Sequence, residues 1–240
     1  MKNVDILRHQ FAYALDGGDF VIDKSGVKTI EIVGASFIAD EPFIFGEVNE
    51  DYVQRELEWY NSMSRNVNDI PGGPPEIWKN VSDSNGYINS NYGWMIYSAD
   101  NLLQYENVVR ELIANPNSRR AVMIYTRPSM WYDYNLNGMS DFVCTNAVQY
   151  LIRNDHLHVV VQMRSNDVMF GYRNDYAWQK HVQLELCKDL HVHPGDITWQ
   201  VGSLHVYEPQ FYLIDNWNLT GDTTITKKAY KKLFPESIYL

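Results

Sequence analysis

The chain has 240 residues, 45% of them hydrophobic and 14% aromatic, enough for a sizeable core in one large domain or two small ones. A net charge of −10, from 20 basic and 30 acidic residues, argues against a general nucleic-acid-binding surface and admits an anionic ligand only where arginines converge locally. No apolar run is long enough to cross a bilayer, and Met1-Lys2-Asn3-Val4-Asp5 lacks the apolar segment of a secretory signal. Cys144 and Cys187 form neither a disulfide framework nor a zinc-type cluster, so a reducing cytoplasm and no metal are expected.

Residues 4–15 place Val4, Leu7, Phe11, Ala14 and Leu15 at helical spacing, and Gly17-Gly18 stops the helix. A short strand over 19–23, the turn Lys24-Ser25-Gly26 and a longer β-branched strand over 27–37 follow. Asn49 caps a helix predicted over 50–63, with Val53, Leu57, Tyr60 and Met63 on one face and Glu56 beside it. Residues 64–93 hold Pro71-Gly72-Gly73-Pro74-Pro75 and many Asn and Ser residues, and are expected as a long loop pinned by Trp78 and Tyr92.

Leu102, Leu103, Val109, Leu112 and Ile113 mark a second helix, ended by Asn115-Pro116. Ser118-Arg119-Arg120 leads into a strand over 121–125. Adjacent strand residues face opposite sides, so the paired arginines suggest a bend, a subunit boundary or a charged edge. Cys144 lies where a polar loop enters an alternating apolar run. Residues 147–153 and 156–163 form a hairpin around Asn154-Asp155, and residues 163–176 gather arginines, acids and amides around Gly171. A third helix covers 175–190, and a strand over 197–207 carries His205 and Tyr207 on one face. Residues 218–240 make a polar, then partly helical tail. No repeat or linker divides the chain, so a single domain over 1–240 is expected. Its class is α+β, a mixed and largely antiparallel sheet flanked by helices.

Singly, these residues are bland. A free cysteine is often a small core hydrophobe, a mid-helix glutamate such as Glu56 is usually exposed, and a His–Tyr pair on a strand is usually packing. A cysteine hydrolase built on Cys144 and His205 has no use for Arg119, Arg120 and Arg164. A non-enzymatic nucleotide sensor or RNA binder sits poorly with the acidic charge and with Cys144 and Glu56.

Jointly they resemble the thymidylate synthase family over nearly the whole chain. The motifs are Glu56 with Trp59, Tyr92-Gly93, Ser118-Arg119-Arg120, Cys144 with Gln149, Arg164-Ser165 with Asp167 and Gly171, and Gly202 with His205 and Tyr207. Three departures from the synthase pattern point to the branch of bacterial viruses that hydroxymethylates deoxycytidylate. Val143-Cys144-Thr145 replaces Pro-Cys-His, Arg173-Asn174-Asp175 replaces Pro-Phe-Asn, and Lys24 replaces an arginine. The synthase C-terminal tail is not matched by Ser237-Ile238-Tyr239-Leu240.

The resemblance implies that Cys144 adds to C6 of the pyrimidine. It implies that Lys24, Arg164 and Ser165 hold the phosphate, joined by Arg119 and Arg120 of the neighbouring subunit in a homodimer with shared sites. His205 and Tyr207 bind the 3′-hydroxyl. Glu56 and Tyr92 manage protons and an ordered water. Asp167 touches substrate, and Trp78, Asp167 and Gly171 touch the co-substrate, 5,10-methylenetetrahydrofolate. Asp175 selects the base: cytosine accepts at N3 and donates at N4, and a carboxyl group can accept from N4 and share a proton with N3. Asn166 is expected as a second base contact, and Asp141 and Val143 as a wetter wall near the folate. Water addition gives hydroxymethyl-dCMP; the alternative is methylation of dUMP. The setting implied is the cytoplasm of an infected bacterial cell, with no membrane and with other nucleotide-synthesis enzymes as partners.

Overall fold

The computed structural model describes residues 2–239; Met1 and Leu240, the last residue of the tail comparison, lie outside them. In chain order the elements are β1 (Lys2–Asn3), α1 (Val4–Gly17), β2 (Val21–Ile22), β3 (Lys28–Ile38), α2 (Glu50–Ser62), α3 (Glu76–Val81), α4 (Tyr92–Tyr97), α5 (Gln104–Ala114), β4 (Val122–Ile124), α6 (Met130–Asp133), β5 (Thr145–Arg153), β6 (His156–Asp167), α7 (Gly171–Leu190), β7 (His193–Tyr207), α8 (Phe211–Thr220) and α9 (Lys227–Leu233). The chain divides into two compact units. One comprises Met1–Val48, Arg164–Ala177 and Ile197–Leu240, the other Asn49–Met163 and Trp178–Asp196.

In the first unit, Asn3 caps α1 by accepting from the Ile6 N–H, and Gly18 closes it at φ 68°. The buried stripe is Val4, Leu7, Phe11 and Leu15 with Ala12, not Ala14. Arg8 lies in that stripe, which hydrophobic periodicity does not anticipate. Its guanidinium holds both Glu41 oxygens at 2.8 and 2.7 Å and the Ile44 carbonyl at 2.6 Å, so the charge is buried fully paired. β3 pairs antiparallel with β7 from Thr29↔Tyr207 to Ile38↔Thr198, parallel with β1 and antiparallel with β2. Phe211, the first residue of α8, and Ile214 are buried; this helix is not foreseen from the sequence.

In the second unit, β5 and β6 form the expected hairpin. Its turn residues Asn154 and Asp155 take φ of 50° and 61°, the left-handed pair that matches strand twist. β4 adds to β5, and a register irregularity falls between Thr145 and Ala147, next to Cys144. The sheet is mixed and largely antiparallel, in the α+β class. Two helix faces differ from the predicted ones. On α5, Val108 and Leu112 are buried, whereas Leu102 and Leu103 precede the helix in left-handed conformations. On α2, Glu56, Trp59 and Tyr60 are buried and Met63 is the exposed left-handed cap. The predicted loop over 64–93 contains α3 and the start of α4.

Aromatic rings fill this unit. Tyr60 stacks on Tyr92 at 5.3 Å and meets Trp178 edge-on at 5.1 Å, and the Trp178 indole donates to Tyr125 Oη at 3.1 Å. Each such pair contributes about 0.5–1.5 kcal/mol beyond area burial. The stack needs α4 close to α2, and Gly93 permits it: a Cβ there would lie 1.8 Å from the Tyr60 carbonyl oxygen. Gly93→Ala is expected to cost about 3 kcal/mol or more, read from urea denaturation. A loss under about 1 kcal/mol would show that α4 shifts freely.

Candidate active site

In the second unit, Cys144 lies just before β5, half-buried, its Sγ 3.9 Å from the Phe142 carbonyl. Cys187 is buried on α7, where burial pushes its thiol up. The next residue after the nucleophile candidate, Thr145, is fully buried and its hydroxyl donates to Tyr92 Oη at 3.0 Å. Thr145 thus orients the Tyr92 hydroxyl, whose ring lies between those of Tyr60 and Tyr125.

Glu56 points inward from α2 and is 5% exposed. Tyr52, one turn earlier, donates to its Oε1 at 2.6 Å, and the Trp78 indole N–H reaches the same oxygen at 3.1 Å. Burial raises the Glu56 pKa, and these two donors oppose the rise. Trp78, from α3, also meets Trp59 edge-on at 5.4 Å.

Arg119 and Arg120 lie on a bend ahead of β4, not in the strand, which accords with the bend reading of two adjacent basic residues. The Arg119 carbonyl accepts from Gln149 Nε2 at 2.8 Å, and the Arg120 amide donates to Ser118 Oγ at 3.0 Å. Both side chains are exposed, and the pair Arg120–Glu111 at 3.1 Å is solvated and contributes little.

Asp141 departs from expectation. It is buried and accepts from the Asn89 and Ser90 amides, each at 2.7 Å, and from Ser90 Oγ at 2.6 Å. That carboxylate fastens the 89–90 segment. Val143 is fully buried. Neither forms a wet wall.

In the first unit, Lys24 is exposed on a turn whose Asp23 carboxylate accepts from the Ser25 and Val27 amides at 2.8 and 2.9 Å. Arg164 is exposed and Ser165 half-buried at the end of β6. His205 and Tyr207 do share a face of β7, with ring centroids 5.1 Å apart, and Ser203 Oγ lies 3.3 Å from His205 Nδ1.

Asp167 accepts from the Met169 and Phe170 amides at 3.2 and 3.0 Å, holding the turn into α7. Burial raises its pKa against those amides and the nearby His205. Asn166 is 2% exposed; its Nδ2 donates to Asp175 Oδ2 at 2.8 Å and its Oδ1 accepts from the Trp199 indole at 3.2 Å. Engaged at both ends in this way, Asn166 orients Asp175. Gly171 makes room for that pair, since a Cβ there would lie 3.0 Å from Asn166 Nδ2. Arg173 turns to the Glu47 carbonyl at 2.6 Å and lies over the Phe170 ring. A cavity of about 390 Å³ beside it, lined by Phe45, Glu47, Phe170, Tyr212 and Thr224, is formed without any of the predicted site residues.

Sequence reasoning missed Tyr52, although its position four residues before Glu56 on one helix is the signal that would find it. It missed Trp199 as well, which alternation along β7 marks only as core.

Comparison with known proteins places these residues in a family. A family model described as thymidylate synthase matches residues 11–223. A protein of Enterobacteria phage T6 named deoxycytidylate 5-hydroxymethyltransferase is 60% identical over 235 residues, covering 95% of this chain and 96% of the relative. Proteins of the same name from phages T4 and T2 are each 59% identical over 234 residues, covering 95% of this chain. The chain belongs to the thymidylate synthase family.

Proposed function

We propose that the chain, acting as one catalytic domain, transfers a one-carbon unit from 5,10-methylenetetrahydrofolate to C5 of dCMP with water addition. The products are 5-hydroxymethyl-dCMP, a precursor of modified viral DNA, and tetrahydrofolate. The observation that carries the reading is the 59–60% identity, over 95% of the chain, to relatives of that named activity.

C5 of cytosine is a poor nucleophile. The Cys144 thiolate adds to C6 and makes C5 enamine-like. C5 then bonds to the one-carbon unit and loses its proton, and departure of the folate nitrogen leaves an exocyclic methylene. Glu56 takes a proton from water as the water oxygen bonds to that methylene carbon. The ring electrons return to re-form the C5–C6 double bond and expel the Cys144 thiolate. The carbon keeps its oxidation level throughout, so the folate leaves as tetrahydrofolate. Methylation would oxidise it to dihydrofolate.

Lys24, Arg164 and Ser165 bind the phosphate, with Arg119 and Arg120 supplied by the second subunit of a homodimer. Their exposed guanidiniums on a bend support that role. His205 and Tyr207 bind the 3′-hydroxyl, Asp175 reads the base, and Tyr92 orders water. Trp78, Asp167 and Gly171 bound the folate. Among the described residues no helix is long and apolar enough to cross a membrane. The working place proposed is the cytoplasm of the infected host, alongside other nucleotide-synthesis enzymes.

Incubation with dCMP or dUMP and methylenetetrahydrofolate, followed by mass analysis, should give hydroxymethyl-dCMP and tetrahydrofolate from dCMP. Thymidylate and dihydrofolate from dUMP would replace the reading with methylation. Cys144→Ser should abolish product and release of tritium from C5, while Cys187→Ser keeps both. Equal loss in two folded variants would remove Cys144 from its role.

Mixing inactive Arg120→Ala and Cys144→Ala proteins tests the shared sites, because one hybrid site carries neither lesion. Verified heterodimers should regain activity; none regained means the arginines do not cross.

Asp175→Asn should lower kcat/KM for dCMP and raise relative use of dUMP. A mismatched buried polar pair costs about 1–3 kcal/mol per group, and such sites discriminate by up to about 10⁴-fold. An unchanged dCMP to dUMP ratio would sink the assignment.

A further inference from the structure

Tyr52 stands outside the motif set, yet it makes the shortest contact to Glu56. Its hydroxyl donates at 2.6 Å to Oε1, while the Trp78 indole N–H lies 2.9 Å from Tyr52 Oη and 3.1 Å from the same Oε1. The three groups close a triangle, and among the described residues both hydrogen bonds to Glu56 fall on Oε1. We infer that Tyr52 is a positioning residue for water addition: with Trp78 it pins Glu56 through Oε1 and leaves Oε2 to receive the proton of the incoming water. The inference rests on the hydroxymethyl transfer proposed above.

Four observations support it. Tyr52 and Glu56 are four apart on α2, so their side chains meet on one face without strain. Tyr52 is itself fixed: the Arg55 guanidinium lies 5.4 Å from its ring centroid and is held by Asp51 at 3.0 Å and by the carbonyls of Pro71 and Gly73 at 2.9 and 3.3 Å. These contacts hold the ring in place beside Glu56. Next, the groups that face Glu56 are Tyr52 from its own helix and Trp78 from α3, both neutral, with Arg55 acting on Tyr52. Two neutral donors are thus what favours the ionised carboxylate that a base requires. Lastly, burial and the adjacent carboxylate push the Tyr52 phenol up, so it stays protonated and remains a donor at working pH.

The chemistry gives the arrangement its use. A water proton must leave as the C–O bond forms, and Oε2 is the oxygen not spent on Tyr52 and Trp78. A hydride-terminated reaction has no such proton to collect. Tyr52 accordingly belongs to the step that separates hydroxymethylation from methylation.

The test is Tyr52→Phe, which keeps the ring and removes the donor. The kcat for hydroxymethyl-dCMP should fall about 10-fold or more, with KM for dCMP unchanged. Removing a donor that favours the charged form raises the Glu56 pKa, so the acid limb of the kcat profile should move to higher pH. In a single turnover, tritium release from C5 should persist while product formation slows. Tritium and product falling together would place Tyr52 at an earlier step and overturn the inference. A readout without substrate accompanies these: carboxyl-carbon NMR of protein labelled in glutamate, with the Glu56 signal assigned from Glu56→Gln. Its midpoint should rise in Tyr52→Phe, and an unmoved midpoint overturns the inference whatever the enzyme does. A wild-type protein inactive on dCMP but showing the shifted midpoint would instead defeat the functional reading and leave the Tyr52–Glu56 coupling standing.

Discussion

A carboxylate buried with only neutral partners is the constraint on which the second unit turns. Glu56 has no cation beside it among the described residues, so its desolvation is offset only by the Tyr52 hydroxyl and the Trp78 indole. Those donors stay in place because rings hold them. Trp78 leans on Trp59, Trp59 stacks on Tyr60 at 5.2 Å, Tyr60 on Tyr92, and Tyr92 accepts from Thr145, the residue after Cys144. Shape and polarity are joined along this column: the same packing that fills the core sets the Tyr52 hydroxyl against Glu56 and the Tyr92 hydroxyl against Thr145. Gly93 is where the column is tightest, because only a missing Cβ lets α4 meet the Tyr60 carbonyl.

The first unit solves a similar problem by hydrogen bonds in series. The Trp199 indole donates to Asn166, and Asn166 donates to Asp175. An indole can only donate, so the Asn166 amide has one allowed orientation, with its NH₂ toward Asp175. Asp175 Oδ2 is thereby fixed as an acceptor. An asparagine at 175 would have to present its carbonyl there, which dictates where its own NH₂ points. The residue proposed to read the base is thus coupled to a buried tryptophan on β7.

Local signals carried much of this into view from the sequence. Helix α1 with its Gly18 stop, the Asn49 cap of α2 and the left-handed Asn154-Asp155 turn follow from short-range rules and stand where those rules place them. The misses have a common cause. Periodicity treats Arg8 and Glu56 as surface residues because it scores hydrophobicity, whereas burial here is decided by partners far along the chain. Arg8 is paired with Glu41, and Glu56 with Trp78. On α2 the stripe shifted from Val53-Leu57 to Glu56-Trp59-Tyr60 for that reason. Asp141 and Asn166 were legible as polar residues near the motifs, but not as residues already committed to Ser90 and Trp199. The site motifs themselves were readable only as a set, since each residue alone has an ordinary structural use.

The two proposed acid–base groups share one feature. Glu56 and Asp175 each have one oxygen addressed by a neutral side-chain donor that an indole in turn anchors. Charged donors would hold a carboxylate more strongly, but they would also lower its proton affinity, and a group that must take a proton and give it back needs that affinity near the working range. Neutral donors fix geometry while lowering basicity less than a charge would. In this chain the arginines proposed to act on substrate, Arg119, Arg120 and Arg164, are exposed at a bend and a strand end, where a permanent charge suits phosphate. The proposed division follows from proton chemistry: permanent charge where the ligand's charge is permanent, phenol and indole at Glu56, where a proton is proposed to move.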